Sequence, residues 1–268
     1  MATMTATRAF VREAGVGPAV VCIHASASSS AQWRPLMDQL GGHFRSLAVD
    51  LYGSGKSPRW PDDQTLTLAD EVALLEPVLA DAGERFHLIG HSYGGAVALK
   101  LALAHPGRVR SLVVYEPVLF SVLLAEDPAQ PAAREIVALR DDTVAAMESG
   151  DPRASGARFL DYWMGPGTWA GMPELRRDAV AAAIRGVTAE WHAAFTEQTE
   201  LAAFGSLDVP TLCLTGSDSP AASRGVARLL TKVLPRVRAV EIDGVGHMGP
   251  VTHPERINAL IERHLETN

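Results

Sequence analysis

The chain has 268 residues, of which 47% are hydrophobic and 21% charged. This balance excludes a disordered polypeptide and predicts a sizeable core. Acidic residues number 31 against 24 basic ones, and the resulting net charge of −7 repels phosphate backbones, so we expect no nucleic-acid partner. At this length, one α/β core with an insertion is the simplest organisation.

The two cysteines, Cys22 and Cys213, each lie inside a short apolar run. A reduced thiol behaves there as a small core hydrophobe, which is typical of a reducing compartment. Residues 1–8 lack the apolar stretch of a secretory signal, and Glu116 and Pro117 interrupt the most apolar later region before membrane-spanning length. The expectation is a soluble cytoplasmic protein with no membrane partner.

Short β-rich apolar runs alternate with longer segments of helical periodicity, a pattern that predicts a mostly parallel sheet covered by helices. The predicted strands are an edge strand at 10–13 and six further strands at 19–24, 46–51, 86–90, 109–115, 211–215 and 237–242. The predicted helices are 31–40, 68–81, 94–105, 221–234 and 254–265. The fold class is therefore α/β.

Residues 118–207 differ from this alternation, since no strand-like run occurs in them. Helical patterns in this block are broken by Pro128, Pro131, Pro152, Pro166 and Pro173. The block also contains many of the aromatic residues of the chain. We interpret 118–207 as a helical insertion into a core formed by residues 1–117 and 208–268.

The segment Gly90-His91-Ser92-Tyr93-Gly94 fits the Gly-x-Ser-x-Gly nucleophile elbow. An apolar predicted strand precedes it and an Ala/Leu-rich predicted helix follows it, which is the context that the motif requires. Tiny residues two positions before and after the serine let the strained turn close. Ser92 is therefore the candidate nucleophile, placed at a helix N-terminus that favours developing negative charge.

A serine nucleophile needs a base, usually a histidine from elsewhere in the chain. His247 is the best candidate, because it lies in a glycine-containing loop directly after the last predicted strand. The other histidines have simpler interpretations: His87 begins a strand, His91 flanks the nucleophile, and His105, His253 and His264 resemble helix-end or surface residues.

The carboxylate that would orient this imidazole is ambiguous in the sequence. Glu116 ends a predicted strand directly before Pro117, and a carboxylate in such apolar surroundings needs a partner such as histidine. Asp218 also follows a strand, but it lies shortly before Pro220, where it would serve equally well as a helix N-cap. The residues favour Glu116 and leave Asp218 as the alternative.

Two backbone N–H groups are candidates for an oxyanion hole. Residues 24–33 form a small-residue loop before a predicted helix, and such a loop can supply one donor while the residue after the serine supplies the other. This assigns the backbone N–H groups of Ser26 and Tyr93.

Three cofactor or metal patterns fail their structural context. The glycines at 244, 246 and 249 have dinucleotide-fingerprint spacing, but Pro250 follows and the chain after it is too short for a βαβ unit. Lys56 and Ser57 resemble the end of a phosphate loop whose first glycine is replaced by Asp50. His87 and His91 have helical zinc spacing but lie on a predicted strand. No cofactor and no metal are expected.

Taken together, the elbow, the segment 50–57 after a core strand and the Gly246-His247 pair resemble the serine-type α/β-hydrolase family, in esterase and lactonase-like form, over residues 18–265. The resemblance implies an eight-stranded sheet, a helical cap after the sixth strand and cofactor-free hydrolysis of a small ester, lactone or related acyl compound. Some similar members carry their acid after the sixth strand, as Glu116 would be.

The aromatic content of the insertion suggests an apolar or ring-bearing acyl substrate. Two other functions remain open at this point. One is hydrolysis of carbon–carbon bonds in ring-cleavage products, and the other is a small-molecule receptor that retains a hydrolase-like site. The sequence does not indicate an oligomeric state.

Overall fold

The computed structural model describes residues 7–61 and 63–268. These residues form one sheet of seven strands in the order β1-β3-β2-β4-β5-β6-β7, and only β1 runs antiparallel to its neighbour. The strands are β1 (Val11–Ala14), β2 (Ala19–Ile23), β3 (Arg45–Val49), β4 (Phe86–His91), β5 (Val109–Tyr115), β6 (Thr211–Gly216) and β7 (Val237–Ile242). Every predicted strand is present.

The expected count of eight strands is wrong for the described residues, which form seven. In the described part of the chain, only one strand precedes β2, and residues 7–10 before β1 form no strand. Among the described residues, no strand pairs with the outer edge of β1. The residue patterns indicate seven strands, and only the family resemblance adds an eighth.

Helices cover both faces of the sheet, as its buried strands require. The helices outside the long segment between β5 and β6 are α1 (Arg34–Leu40), α2 (Leu68–Asp81), α3 (Tyr93–Ala104), α9 (Ala221–Val233), α10 (Gly249–Thr252) and α11 (Pro254–Glu266). Side chains of α2, α3 and α9 pack in one hydrophobic cluster, and those of α1 and α11 in another. Neighbouring β2 residues alternate between the clusters, with Val20 in one and Val21 in the other, which is the strand period of two.

Local sequence signals account for most helix boundaries. The predicted helix at 31–40 is divided into a 3-10 turn, Ser30–Trp33, and α1, because Pro35 lies in the first turn of α1, where its missing N–H costs nothing. The α2 helix has the predicted bounds, and its N-terminus carries a capping box between Thr67 and Asp70.

Between β5 and β6 the chain forms helices throughout. They are α4 (Phe120–Glu126), α5 (Pro131–Glu148), α6 (Pro152–Met164), α7 (Thr168–Gly171), α8 (Glu174–Thr196) and a 3-10 turn at Leu201–Ser206. Two of the prolines that interrupt the sequence pattern, Pro131 and Pro152, are the first residues of their helices. We call α4 to α8 the helical segment.

An aromatic cluster joins the helical segment together. The ring of Phe120 in α4 lies within 6.4 Å of Trp163, 6.1 Å of Trp191 and 5.1 Å of Phe195, measured between ring centroids. Phe120 is fully buried.

Within residues 7–61 and 63–268, no helix combines the length and apolar character that a membrane span requires.

Candidate active site

The carboxyl ends of the parallel strands bring the predicted site residues to one edge of the sheet. Ser92 follows β4, Glu116 follows β5, and His247 lies in the loop after β7. All three are buried, with exposed fractions of 4%, 0% and 2%. Burial at this level means that their polar groups must find partners within the protein.

Ser92 occupies a sharp turn between β4 and α3. Its backbone has φ +55° and ψ −118°, a conformation that L-residues rarely adopt. The turn requires glycine at two positions because a side chain would not fit. A Cβ on Gly90 would lie 2.3 Å from the Gly94 carbonyl oxygen, and a Cβ on Gly94 would lie 2.4 Å from the His24 carbonyl oxygen. The strained backbone points the hydroxyl toward His247.

Ser92, His247 and Glu116 form one hydrogen-bonded chain. The Ser92 hydroxyl lies 2.9 Å from His247 Nε2, and His247 Nδ1 lies 2.6 Å from Glu116 Oε2. With the carboxylate ionised, Nδ1 carries a proton and donates a hydrogen bond to Glu116, which leaves Nε2 free to accept a hydrogen bond from the serine hydroxyl. The imidazole is thus held in the tautomer that can take a proton from Ser92.

Glu116 is built to stay ionised despite its burial. Its Oε1 accepts a hydrogen bond from the backbone N–H of Gly216 at 2.7 Å, and its Oε2 also accepts one from the Ser223 hydroxyl at 2.9 Å. Burial raises the pKa of Glu116, but the hydrogen bond and charge of His247 and the Gly216 N–H outweigh it, so the net pKa lies below the ordinary value.

Asp218, the alternative acid, lies apart from this chain. It is exposed, and its carboxylate accepts a hydrogen bond from the Ser217 hydroxyl at 2.9 Å. Its backbone N–H bonds to the Val245 carbonyl. The structure therefore brings Glu116, and not Asp218, to the imidazole of His247.

The loop that carries Ser26 is fixed by His24. Burial lowers the pKa of His24, and Nε2 of this neutral ring accepts the Leu51 N–H at 3.1 Å. Nδ1 therefore carries the proton and donates to the Ala25 carbonyl at 2.7 Å. The Ala25 N–H bonds in turn to Gln32 Oε1 at 3.1 Å.

Both predicted oxyanion donors lie beside the nucleophile. Ser26 and Tyr93 line the same cavity as Ser92. Tyr93 is the first residue of α3, so its N–H has no acceptor within the helix and is available to a ligand.

Sequence reasoning missed two side chains that hold the His247 loop. His91 Nε2 donates to the His247 carbonyl at 2.9 Å, and burial lowers the pKa of His91 so that the ring stays neutral. The Tyr115 hydroxyl donates to the Gly246 carbonyl at 2.7 Å. The sequence signal that could have indicated them is a polar residue at the last position of each of two adjacent strands, β4 and β5.

Two cavities meet at His247. The more enclosed of the two, about 90 Å³ and called the enclosed cavity below, is lined by Ser26, Ser92, Tyr93 and mostly apolar side chains of the helical segment. The other, about 830 Å³, is lined by residues that include Asp218 and His253. The residues that line both, and so lie between them, are Trp163, Met164, His247 and Met248. The Trp163 ring lies 4.1 Å from the His247 ring, between centroids.

With this geometry in place, the family can be assigned. The sequence profile of the α/β-hydrolase fold matches residues 18–254. The chain belongs to the α/β-hydrolase fold family. This α/β-hydrolase superposes on a hydrolase from Pseudomonas aeruginosa with a TM-score of 0.78 at 23% identity, covering 99% of this chain and 97% of that one.

Curated relatives of this α/β-hydrolase differ in how much of their length it covers. It is 29% identical to a pimeloyl-[acyl-carrier protein] methyl ester esterase from Aeromonas hydrophila, over 94% of this chain and 97% of that protein. It is 34% identical to the probable lysophospholipase BODYGUARD 2 from Arabidopsis thaliana over 54% of this chain. That match spans only 30% of the plant protein.

Proposed function

We propose that this α/β-hydrolase cleaves a small ester, lactone or related acyl compound through an acyl-enzyme intermediate. The observation that carries the proposal is the hydrogen-bonded chain from the Ser92 hydroxyl through His247 to Glu116. Such a chain can raise the nucleophilicity of a serine hydroxyl at neutral pH. The name of the Aeromonas relative, an ester hydrolase that matches over almost the whole chain, supports an ester as the bond type.

In the proposed mechanism, Ser92 Oγ attacks the acyl carbon while its proton moves to His247 Nε2. The negative charge that develops on the acyl oxygen is stabilised by the backbone N–H groups of Ser26 and Tyr93. Glu116 stabilises the imidazolium and stays ionised. When the intermediate collapses, the imidazolium gives its proton to the leaving alcohol.

The second half of the proposed reaction repeats these steps with water. His247 Nε2 removes a proton from water, and the resulting hydroxide attacks the acyl carbon of the ester on Ser92. The new tetrahedral intermediate expels Ser92 Oγ, which takes back the proton from His247. The acid product then leaves the free enzyme.

The two cavities support an assignment of the two parts of the substrate. A leaving group must lie on the His247 side, because that imidazole protonates it, and the larger cavity with Asp218 and His253 adjoins this side. The enclosed cavity then takes the acyl part. Its volume of about 90 Å³ is below the roughly 150 Å³ that holds a benzene ring in an engineered protein cavity, which favours a short acyl chain over a ring there.

We include in the proposal that residues 118–207 act as a cap, since α6 and α8 line the enclosed cavity above Ser92.

Cys22 and Cys213 are buried free thiols, which supports a reducing compartment such as the cytoplasm.

The test is labelling with an aryl phosphonate, followed by turnover of short aryl esters and lactones. Phosphonate should attach to Ser92, and Ser92→Ala should prevent labelling and lower kcat on the esters by about 10⁶-fold. Circular dichroism should show that the variant stays folded. Full turnover by Ser92→Ala would refute the assignment.

The same panel separates the two alternatives. Turnover of vinylogous diketo acids but not of esters would indicate a carbon–carbon bond hydrolase. A ligand that binds tightly and raises Tm with negligible turnover would indicate a receptor.

A further inference from the structure

A buried carboxyl group faces the enclosed cavity, and the proposed mechanism does not use it. Glu190, in α8, is 4% exposed and lines the cavity together with Ser26, Ser92 and Tyr93. It lies three residues after Val187 and next to Trp191, on the stripe of α8 that is otherwise apolar. Nearly all of the remaining cavity wall is apolar.

The Glu190 carboxyl is incompletely paired within the described part of the chain. Its Oε2 has no hydrogen-bond partner there. Burial raises the pKa of Glu190 to about 7, and the nearby Ser26 hydroxyl offsets only part of that rise. An unpartnered buried acceptor of this kind destabilises the folded state.

A second buried carboxyl group lies near Glu190 and offers it no opposite charge. Glu71 of α2 is fully buried, and its pKa is raised to about 8 by burial, with a further contribution from the charge of Glu190. Glu71 Oε1 and the Tyr93 hydroxyl also lack partners among the described residues. The polar group next to the cavity is thus a pair of carboxyls without a basic partner.

An apolar side chain at this position would complete the stripe of α8 and remove the cost. The packing of the fold therefore does not require the carboxyl group. Because Glu190 lines the cavity, its carboxyl group can contact a ligand that binds beside Ser92. A ligand that offers an O–H or N–H donor would pair with the carboxyl group, and an apolar ligand would leave the group buried and unpaired.

We propose that Glu190 determines substrate specificity by binding a hydroxyl or amino group on the acyl part of the substrate. This inference rests on the proposed acyl hydrolysis. It narrows the substrate class to esters whose short acyl part carries a hydrogen-bond donor. Glu190 would bind that donor while the ester carbonyl lies between Ser92 and the backbone N–H groups of Ser26 and Tyr93.

The two donor chemistries make different demands on the carboxyl. An ammonium group needs the ionised form of Glu190 and supplies the positive charge that the site lacks. A hydroxyl group is bound by either form, because a neutral carboxyl keeps an acceptor oxygen. Glu190→Gln separates them, since the amide keeps the acceptor and removes the charge.

The experiment compares aryl esters of three matched acids, which carry a hydroxyl, an amino or a methyl group on the α or β carbon of butyrate. We expect wild-type kcat/KM to favour a donor-bearing ester over the methyl ester by about tenfold, the factor that ~1.4 kcal/mol represents. Glu190→Leu should remove or reverse that preference. Glu190→Gln should keep a preference for hydroxyl and lose one for amino.

Glu174→Gln is the matched control, because Glu174 lies in the same helix and is exposed, and its carboxylate bonds to Arg153 at the surface. It should leave all ratios unchanged. A wild type that hydrolyses the methyl ester at least as well as both donor esters, or a ratio unaffected by Glu190→Leu, would overturn the inference. The proposed function would survive either result, provided that Ser92→Ala still abolishes turnover.

A binding measurement tests the same inference without turnover. In the Ser92→Ala background, the donor-bearing esters should raise Tm more than the methyl ester, and addition of Glu190→Leu should equalise the shifts. Equal shifts before that addition would contradict the inference even if no ester is hydrolysed.

Discussion

The pairing of His247 with Glu116 is the residue-scale feature that the proposed chemistry depends on. Glu116 has a backbone φ of +46°, a strained value for a non-glycine residue, and its carboxylate is held from both sides by Gly216 and Ser223. An imidazole that loses this partner can adopt the wrong tautomer, with the proton on Nε2 where the serine must donate.

Glu116→Gln should therefore lower kcat by about 10⁴-fold, whereas Asp218→Asn should leave kcat near the wild-type value. The comparison is made on the ester that the wild type hydrolyses best. Asp218→Asn is the matched control, since it makes the same chemical change at the other strand end. A larger loss of kcat in Asp218→Asn than in Glu116→Gln would show that Asp218 is the carboxylate that orients His247.

A second residue-scale feature is Glu71, whose ionisation makes the stability of the fold depend on pH. Its folded pKa of about 8 lies above its ordinary value of 4.5, because burial disfavours the charged form. A raised carboxyl pKa stabilises the fold fully below the ordinary value, and that contribution is lost as pH rises toward the folded value. The contribution of Glu71 to stability should therefore fall between about pH 4.5 and 8, whereas the lowered pKa values of His24 and His91 contribute stability that rises with pH.

Glu71→Gln should flatten that loss, because the amide does not ionise. Its oxygen can still accept the Tyr52 N–H that Glu71 Oε2 accepts at 3.2 Å. Urea unfolding at pH 5 and pH 8 measures the change, as the difference in unfolding free energy between the two conditions. A pH dependence as steep as that of the wild type would show that Glu71 does not carry it.

At the scale of elements, the packing of α3 against β2 positions the nucleophile. The Gly94 backbone lies so close to the end of β2 that a Cβ would approach the Ile23 and His24 carbonyl oxygens to 2.5 and 2.4 Å. These atoms are backbone, so they cannot move aside as a side chain can.

Gly94→Ala should displace the start of α3 and lower kcat/KM by about 10²-fold, because a shift near 1 Å misaligns the reacting groups. Gly186→Ala is the control within α8, where a Cβ meets nothing within 4 Å. It should stabilise the protein by up to about 1 kcal/mol through helix propensity. Near-wild-type activity in Gly94→Ala would contradict this packing argument.

At the scale of the whole molecule, Phe120 holds the helices of the helical segment together. It follows β5 by five residues and contacts aromatic rings of α6 and α8. The helices that line the enclosed cavity therefore depend on this side chain for their position.

Phe120→Ala should lower the free energy of unfolding by about 3–5 kcal/mol, the usual cost of removing a buried phenyl ring. Leu175→Ala removes a side chain that is 82% exposed and should change stability by less than about 0.5 kcal/mol. Urea denaturation monitored by tryptophan fluorescence measures both. Equal small losses would mean that the cluster does not hold the helical segment.

The sequence predicted the elements well because their signals are local. Strand runs, proline breaks and the glycines around Ser92 act through sterics and periodicity over a few residues. All seven strands and the bounds of α2 follow from such patterns. The eighth strand came from the resemblance alone, and the structure corrects it.

What the sequence could not decide depends on residues far apart in the chain. Glu116 and Asp218 both follow strands, and only the order of β5, β6 and β7 brings one of them to a histidine 131 residues away. No local pattern distinguishes Glu190 from the other carboxylates of the chain, and only the fold buries it beside Ser92. Short-range patterns determined the elements, and long-range packing decided which polar groups meet and which stay unpaired.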